Sequence, residues 1–147
     1  MVRRVSILAI LLIATIATDI FPVTYDKKAF NRVLEKVENR APLSEQDATA
    51  KAKTLTLLPK GERSGRLYTS PRIQIDYVYG KTDHFQVEIL TEDIQNAKAE
   101  AVEWFLNEGF SQDFICRYPI EFYLNGDVKE KLSNTKTVFN PLPPKCK

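Results

Sequence analysis

The chain reads as an α+β domain: a small antiparallel sheet in the order strand-strand-helix-strand, packed by one helix. An N-terminal signal or anchor helix and an amphipathic helix precede it. Residues 73–79 and 85–89 alternate apolar and polar side chains with period two, residues 94–106 repeat apolar side chains at helical spacing, and residues 120–124 return to alternation. Strands on both sides of one helix, in a chain of 147 residues, fit a single layered domain.

The leader comes first. Met1, Val2, Arg3 and Arg4 precede an unbroken apolar and small-residue run over 5–18, the pattern of an export signal. Two readings stay open. A run of 14 residues is short for a span, which needs roughly twenty. Asp19 interrupts it, and Thr15 and Ala17 suit the small positions before a cut near Thr18. Against cleavage, Ile20, Phe21 and Val23 extend the apolar character toward a tilted membrane anchor. No cysteine follows the run, so a lipoprotein attachment residue is lacking. Either reading makes the rest extracytoplasmic, secreted or anchored to the membrane through the N-terminal segment. The expected division is 1–18 signal peptide or membrane anchor, 19–65 helical segment and linker, and 66–147 α+β domain with a disulfide-tied tail.

Residues 24–41 place Phe30, Val33, Leu34, Val37 and Ala41 at helical spacing among charged side chains, with Thr24 or Asp26 as cap and Pro42 as stop. Ser44 and Asp47 form a capping-box-like start for a second helix. Its alanines and threonines offer little to bury, so residues 43–64 read as a linker. A strand region begins near Arg66. Ile73, Ile75, Tyr77 and Tyr79 share one side of it, and Phe85, Val87 and Ile89 share one side of its hairpin partner. Thr91 is the expected cap of the next helix, whose apolar side holds Ile94, Ala97, Ala101 and Phe105 and whose stop is Gly109. Cys116 leads into a strand with Ile120, Phe122 and Leu124 on one side, and Pro119 suits a sheet edge. Asn125 and Gly126 turn the chain. The last twenty residues, with Pro141, Pro143 and Pro144, read as irregular.

Removing Arg3 and Arg4 from the 21 basic residues leaves 19 against 19 acidic, so a nucleic-acid role loses its electrostatic footing. The charge is unevenly placed. Residues 26–66 hold ten basic and six acidic side chains, 67–116 three and nine, and 117–147 six and three. Cys116 and Cys146 are the two cysteines, and an oxidising compartment makes a disulfide across thirty residues the natural reading. The alternative is two unpaired thiols, one buried and one at the terminus.

No constellation specifies a reaction, so no catalytic residue, cofactor or metal is assigned. His84 is the single histidine and is expected as an exposed hairpin residue, without a local nucleophile signature to partner it. Glu92, Asp93, Glu100, Glu103 and Glu108 fit a solvated helix face better than a glycosidase pair or a calcium loop. The aromatic residues carry more. Phe85, Phe105 and Phe122 read as core, whereas Tyr77, Tyr79, Trp104 and Tyr123 form a candidate contact surface on a sheet with one helix to cover it.

Phe85, Val87 and Ile89 ending a hairpin, Phe105-Leu106 in an alanine-rich helix, Cys116 at the head of a strand and Cys146 at the chain end resemble small uncharacterised bacterial proteins with an N-terminal membrane segment. The resemblance covers residues 72–146. This chain departs from it in the proline-rich approach to Cys146. It implies topology and location, since the group has no known function. The expected role is a non-catalytic envelope protein that binds an unknown envelope protein or a glycan. A small secreted hydrolase and a structural subunit of a surface or secretion assembly are the alternatives.

Overall fold

The computed structural model describes residues 22–146. The leader lies outside the described residues, among which no helix is long and apolar enough to cross a membrane. A short strand β1 (Thr24–Tyr25) opens into α1 (Lys27–Glu38), capped by Asp26, whose carboxylate accepts from the amides of Lys28 and Ala29. Helix α2 (Glu45–Leu55) is capped by Ser44, which accepts from the Asp47 amide and donates to its carboxylate.

The segment expected as a linker docks on the body. Asp47, Ala50 and Thr54 are buried, and Ala50 belongs to the main core. Small side chains permit the close approach: a Cβ on Gly109 would stand 3.6 Å from that of Ala50. Asp47 also accepts from the backbone amide and hydroxyl of Ser111, tying α2 to the following helical layer. Burial alone would raise this carboxyl, but the hydrogen bonds from Ser44 and Ser111 hold it below its usual range.

The main sheet runs β2 (Gly65–Thr69), β3 (Ile73–Val78), β4 (His84–Ile89), β5 (Ile120–Leu124), in that spatial order. The extended region expected from Arg66 is thus a hairpin. It turns at Ser70, whose hydroxyl accepts from the amides of Arg72 and Ile73. β3 pairs antiparallel with both β2 and β4, but β4 and β5 are parallel, so the sheet is mixed rather than antiparallel. The chain returns through α3 (Ile94–Asn107) and α4 (Gln112–Arg117) before β5 begins, the crossover that a parallel neighbour requires.

Asp93, not Thr91, caps α3, while the Thr91 hydroxyl accepts from the Asp93 amide. At the other end Gly109, with φ +99°, and Phe110 return their amides to Leu106 and Phe105, a Schellman closure that only glycine adopts without strain. Cys116 sits inside α4 rather than at a strand head, because Ser111 caps a further helical turn. The tail is also more regular than expected. Asn125 caps α5 (Gly126–Leu132), and β6 (Val138–Phe139) pairs in parallel with β1.

The core lies between the sheet and α3–α4. Phe85 is fully buried at its centre, with the rings of Phe105, Tyr77, Tyr118 and Phe110 at 5.2, 5.3, 5.7 and 5.9 Å. Phe105 and Phe122 are buried as expected, and Ile75, Val87 and Ile120 fill the same face.

Three devices hold the tail beyond β5. The Phe122 amide donates to the Pro141 carbonyl, and Cys116 and Cys146 are joined with their Cα atoms 5.1 Å apart. Lys98 is the third. It is buried, donates to the carbonyls of Asn140 and Leu142, and stands about 5 Å over the rings of Phe122 and Phe139. Burial pulls its ammonium down to about 8. Leu142 in turn packs against Ala29 and Val33, so α1 rides on the tail.

Replacing both cysteines by serine is expected to lower the unfolding free energy by about 3–4 kcal/mol, the chain-entropy value for a loop of thirty residues. Urea denaturation checks it. An unchanged midpoint would mean that residual structure already restricts the unfolded tail as much as the covalent bond does.

Candidate functional site

A groove of about 1000 Å³ runs between the β2–β3 hairpin and α3. Its floor is made by Tyr68 and Trp104, whose rings lie 5.9 Å apart at a tilt of 34°. Asn96, Glu100, Glu103 and Asn107 recur along α3 at spacings of three and four, so they form one stripe beside the rings. Arg72 closes the hairpin side. Glu100 links the two walls by accepting from the Tyr68 hydroxyl at 3.3 Å and from Arg72 at 3.4 Å.

Tyr68 reaches this groove through an irregularity in β2. Arg66 and Tyr68 are two residues apart and would share a sheet face in a regular strand. Instead Arg66 pairs with Asp76 and Tyr68 with Ile75, because the register shifts between them. The bulge turns Tyr68 toward α3 while Arg66 stays on the opposite face, where it meets Asp76 at 2.7 Å. Burial first, then the nearby Glu100 carboxylate, raises the Tyr68 phenol above its ordinary value.

The four aromatic residues expected as a contact surface fall in different places. Trp104 is 9% exposed on the groove floor. Tyr77 is buried rather than a surface residue, because strand alternation pairs it with Phe85 on the core side. Tyr79 is exposed at the end of the hairpin, with the Arg63 guanidinium 5.0 Å over its ring. Tyr123 lies on the far sheet face with Glu88 and Glu121, half-buried, and burial followed by the charges of Glu88 and Asp76 pushes it up to about 12. Tyr68, Arg72 and Asn96 were absent from the expected surface. The helical stripe was readable from spacing, but the bulge leaves no mark in the sequence pattern.

A second polar cluster lies at the β3–β4 turn. Asp83 accepts from Arg40 at 2.6 Å, from Lys51 at 3.0 Å and from the Tyr77 hydroxyl, while its carbonyl accepts from Tyr118 at 3.0 Å. Lys51 also stands 5.3 and 5.4 Å over the rings of Tyr77 and Tyr118. Asp83 has φ +35°, a backbone state that a short carboxylate or amide side chain tolerates better than most. His84 follows. It is 8% exposed rather than on the surface, and its Nδ1 has no hydrogen-bond partner among the described residues. Burial lowers its pKa, with Asp83 opposing and Arg40 assisting.

Among the described residues no group of three or more His, Cys, Asp or Glu is placed to hold a metal ion. Comparisons with protein-family models, with curated proteins and with solved structures found no match.

Asp83→Asn keeps a side chain suited to the positive φ while removing the charge. It is expected to cost about 2–3 kcal/mol in urea unfolding, because Lys51 and Arg40 lose their counter-ion in a partly buried site. A cost below about 0.5 kcal/mol would mean that solvent already screens the cluster. For His84 the folded pKa is below the unfolded value of 6.5, so the unfolded chain binds more protons as pH falls. Stability is expected to be full above pH 6.5 and to decline below it, and His84→Leu should flatten that decline. Equal slopes in both proteins would assign the decline to carboxylates.

Proposed function

We propose that the protein is a non-catalytic binding module of the cell envelope and that its ligand is a glycan seated in the Tyr68–Trp104 groove. The carrying observation is the composition of that groove. Two adjacent aromatic rings offer a surface for the apolar face of a sugar ring. Beside them Asn96 and Asn107 supply amides, and Glu100, Glu103 and Arg72 supply planar charged groups. Planar amide, carboxylate and guanidinium groups match pairs of neighbouring hydroxyls with two hydrogen bonds each. The export-type leader and the Cys116–Cys146 bridge support an extracytoplasmic setting, whether the protein is secreted or held by its N-terminal segment. The acidic middle third of the chain supplies Glu100 and Glu103, which favours hydroxyl- and amine-bearing ligands over polyanions.

Trp104 is the chain's single tryptophan, so its emission reports directly on the groove. Titration with β-linked amino-sugar oligomers is expected to shift that emission saturably. Glu103→Gln combined with Asn96→Ala is expected to weaken binding by about tenfold or more, the worth of one or two hydrogen bonds. A silent spectrum across neutral and amino-sugar oligomers, or binding indifferent to the double substitution, would overturn the assignment. Release of shortened oligomers during the titration would favour the hydrolase reading instead.

A further inference from the structure

The β1–β6 pairing sets the start of α1 near α5 beyond the β5 edge, where the Tyr25 hydroxyl accepts from the Leu124 amide. The chain enters there: Pro22 and Val23 line a shallow surface pocket together with Lys129, Glu130, Ser133 and Asn134. The Lys129 ammonium stands 5.6 Å over the Tyr25 ring, two and three residues before Lys27 and Lys28, which are exposed at the start of α1. The same helix is more apolar than its packing uses. Ala29 and Val33 are buried against Leu142, yet Phe30 and Leu34, one turn apart, remain 38% and 46% exposed. An amphipathic helix with exposed Phe and Leu and adjacent lysines has the composition of one that lies in a lipid headgroup layer.

We propose that this end of the molecule, the Phe30–Leu34 side of α1 with Lys27, Lys28 and Lys129, rests on an anionic lipid bilayer. Chain length supports that occupant. Val23 packs on the core, so the apolar run of the N-terminal sequence that precedes the folded body ends at Phe21, six residues before α1 begins. At about 3.4 Å per residue, a bilayer that takes up this run holds α1 within about 20 Å of its hydrocarbon. The headgroup layer covers about a third of that gap. Charge supports it too, since a negative surface attracts Lys27, Lys28 and Lys129. The groove is built on β2, the opposite edge of the sheet from β5. Three strand spacings, about 14 Å, therefore stand between lipid and groove, leaving the latter open to the aqueous side. The inference does not rest on what the groove binds.

The test uses the full chain reconstituted in vesicles of phosphatidylcholine, with or without phosphatidylglycerol, carrying brominated acyl chains. Phe30→Trp in a Trp104→Phe background places the only indole on α1. Its quenching in the anionic vesicles is expected to exceed that of Trp104 in the unsubstituted chain by about threefold or more, and to drop to that level when Lys27→Glu and Lys28→Glu are added. Lysine acylation of the unsubstituted chain provides a second measurement that needs no variant. Lys27, Lys28 and Lys129 should be protected in anionic vesicles relative to detergent, whereas Lys60 in its exposed loop should not. Quenching no greater than that of Trp104 together with unprotected lysines would overturn the proposal. So would equal quenching in vesicles lacking phosphatidylglycerol, or protection that depends on protein concentration without bromine quenching, the mark of a second copy covering α1.

Discussion

A carboxylate at the β3–β4 turn accepts an ammonium from α2, a guanidinium from the end of α1 and a phenol from β3, while its carbonyl accepts a second phenol from the end of α4. Segments up to 43 residues apart in sequence therefore converge on Asp83. The next residue but one is Phe85, around which the aromatic core is assembled, so the charged cluster and the apolar centre are fixed by the same strand register. Tyr77 belongs to both: its ring packs on Phe85 while its hydroxyl reaches Asp83. Water excluded by the rings strengthens the ion pairs, and the ion pairs hold α1 and α2 where they exclude water.

The opposite end is closed by different means. A lysine without a carboxylate partner among the described residues is held between two backbone carbonyls and two ring faces, which satisfy a buried cation in place of an anion. Lys98 thereby fixes the proline-rich segment whose Leu142 supports α1. The disulfide secures the same segment from α4. The sheet itself stays open on the face of Gln74, Asp76, Gln86, Glu88, Glu121 and Tyr123, all half-buried and polar, as expected for a sheet with helices on one side.

Local signals in the sequence translated well where a side chain acts on its own backbone. Asp26 and Ser44 cap the helices they precede, Gly109 ends α3, and the alternation of Ile73, Ile75 and Tyr77 marks the buried side of β3. Thr91 failed as a cap because Asp93, two residues on, has the same chemistry and a better position. Of the groove, Glu100 and Glu103 read only as part of a solvated helix face, and Trp104 was already singled out. Tyr68 was not, since period-two reasoning puts it on the face of Arg66 and a one-residue bulge reverses that.

Composition and spacing thus pointed to α1, α2 and α3, to the buried strand faces and to a bridge as the natural reading of the two cysteines, because each depends on residues a few positions apart or on chemistry the residue type carries itself. The direction of β5, the docking of α2, the burial of His84 and the convergence on Asp83 depend on which distant segments become neighbours. A parallel and an antiparallel edge strand carry the same alternation, and a small helix packs or stays free according to the space opposite it. Only the folded chain supplies that opposing surface, so only it settles them.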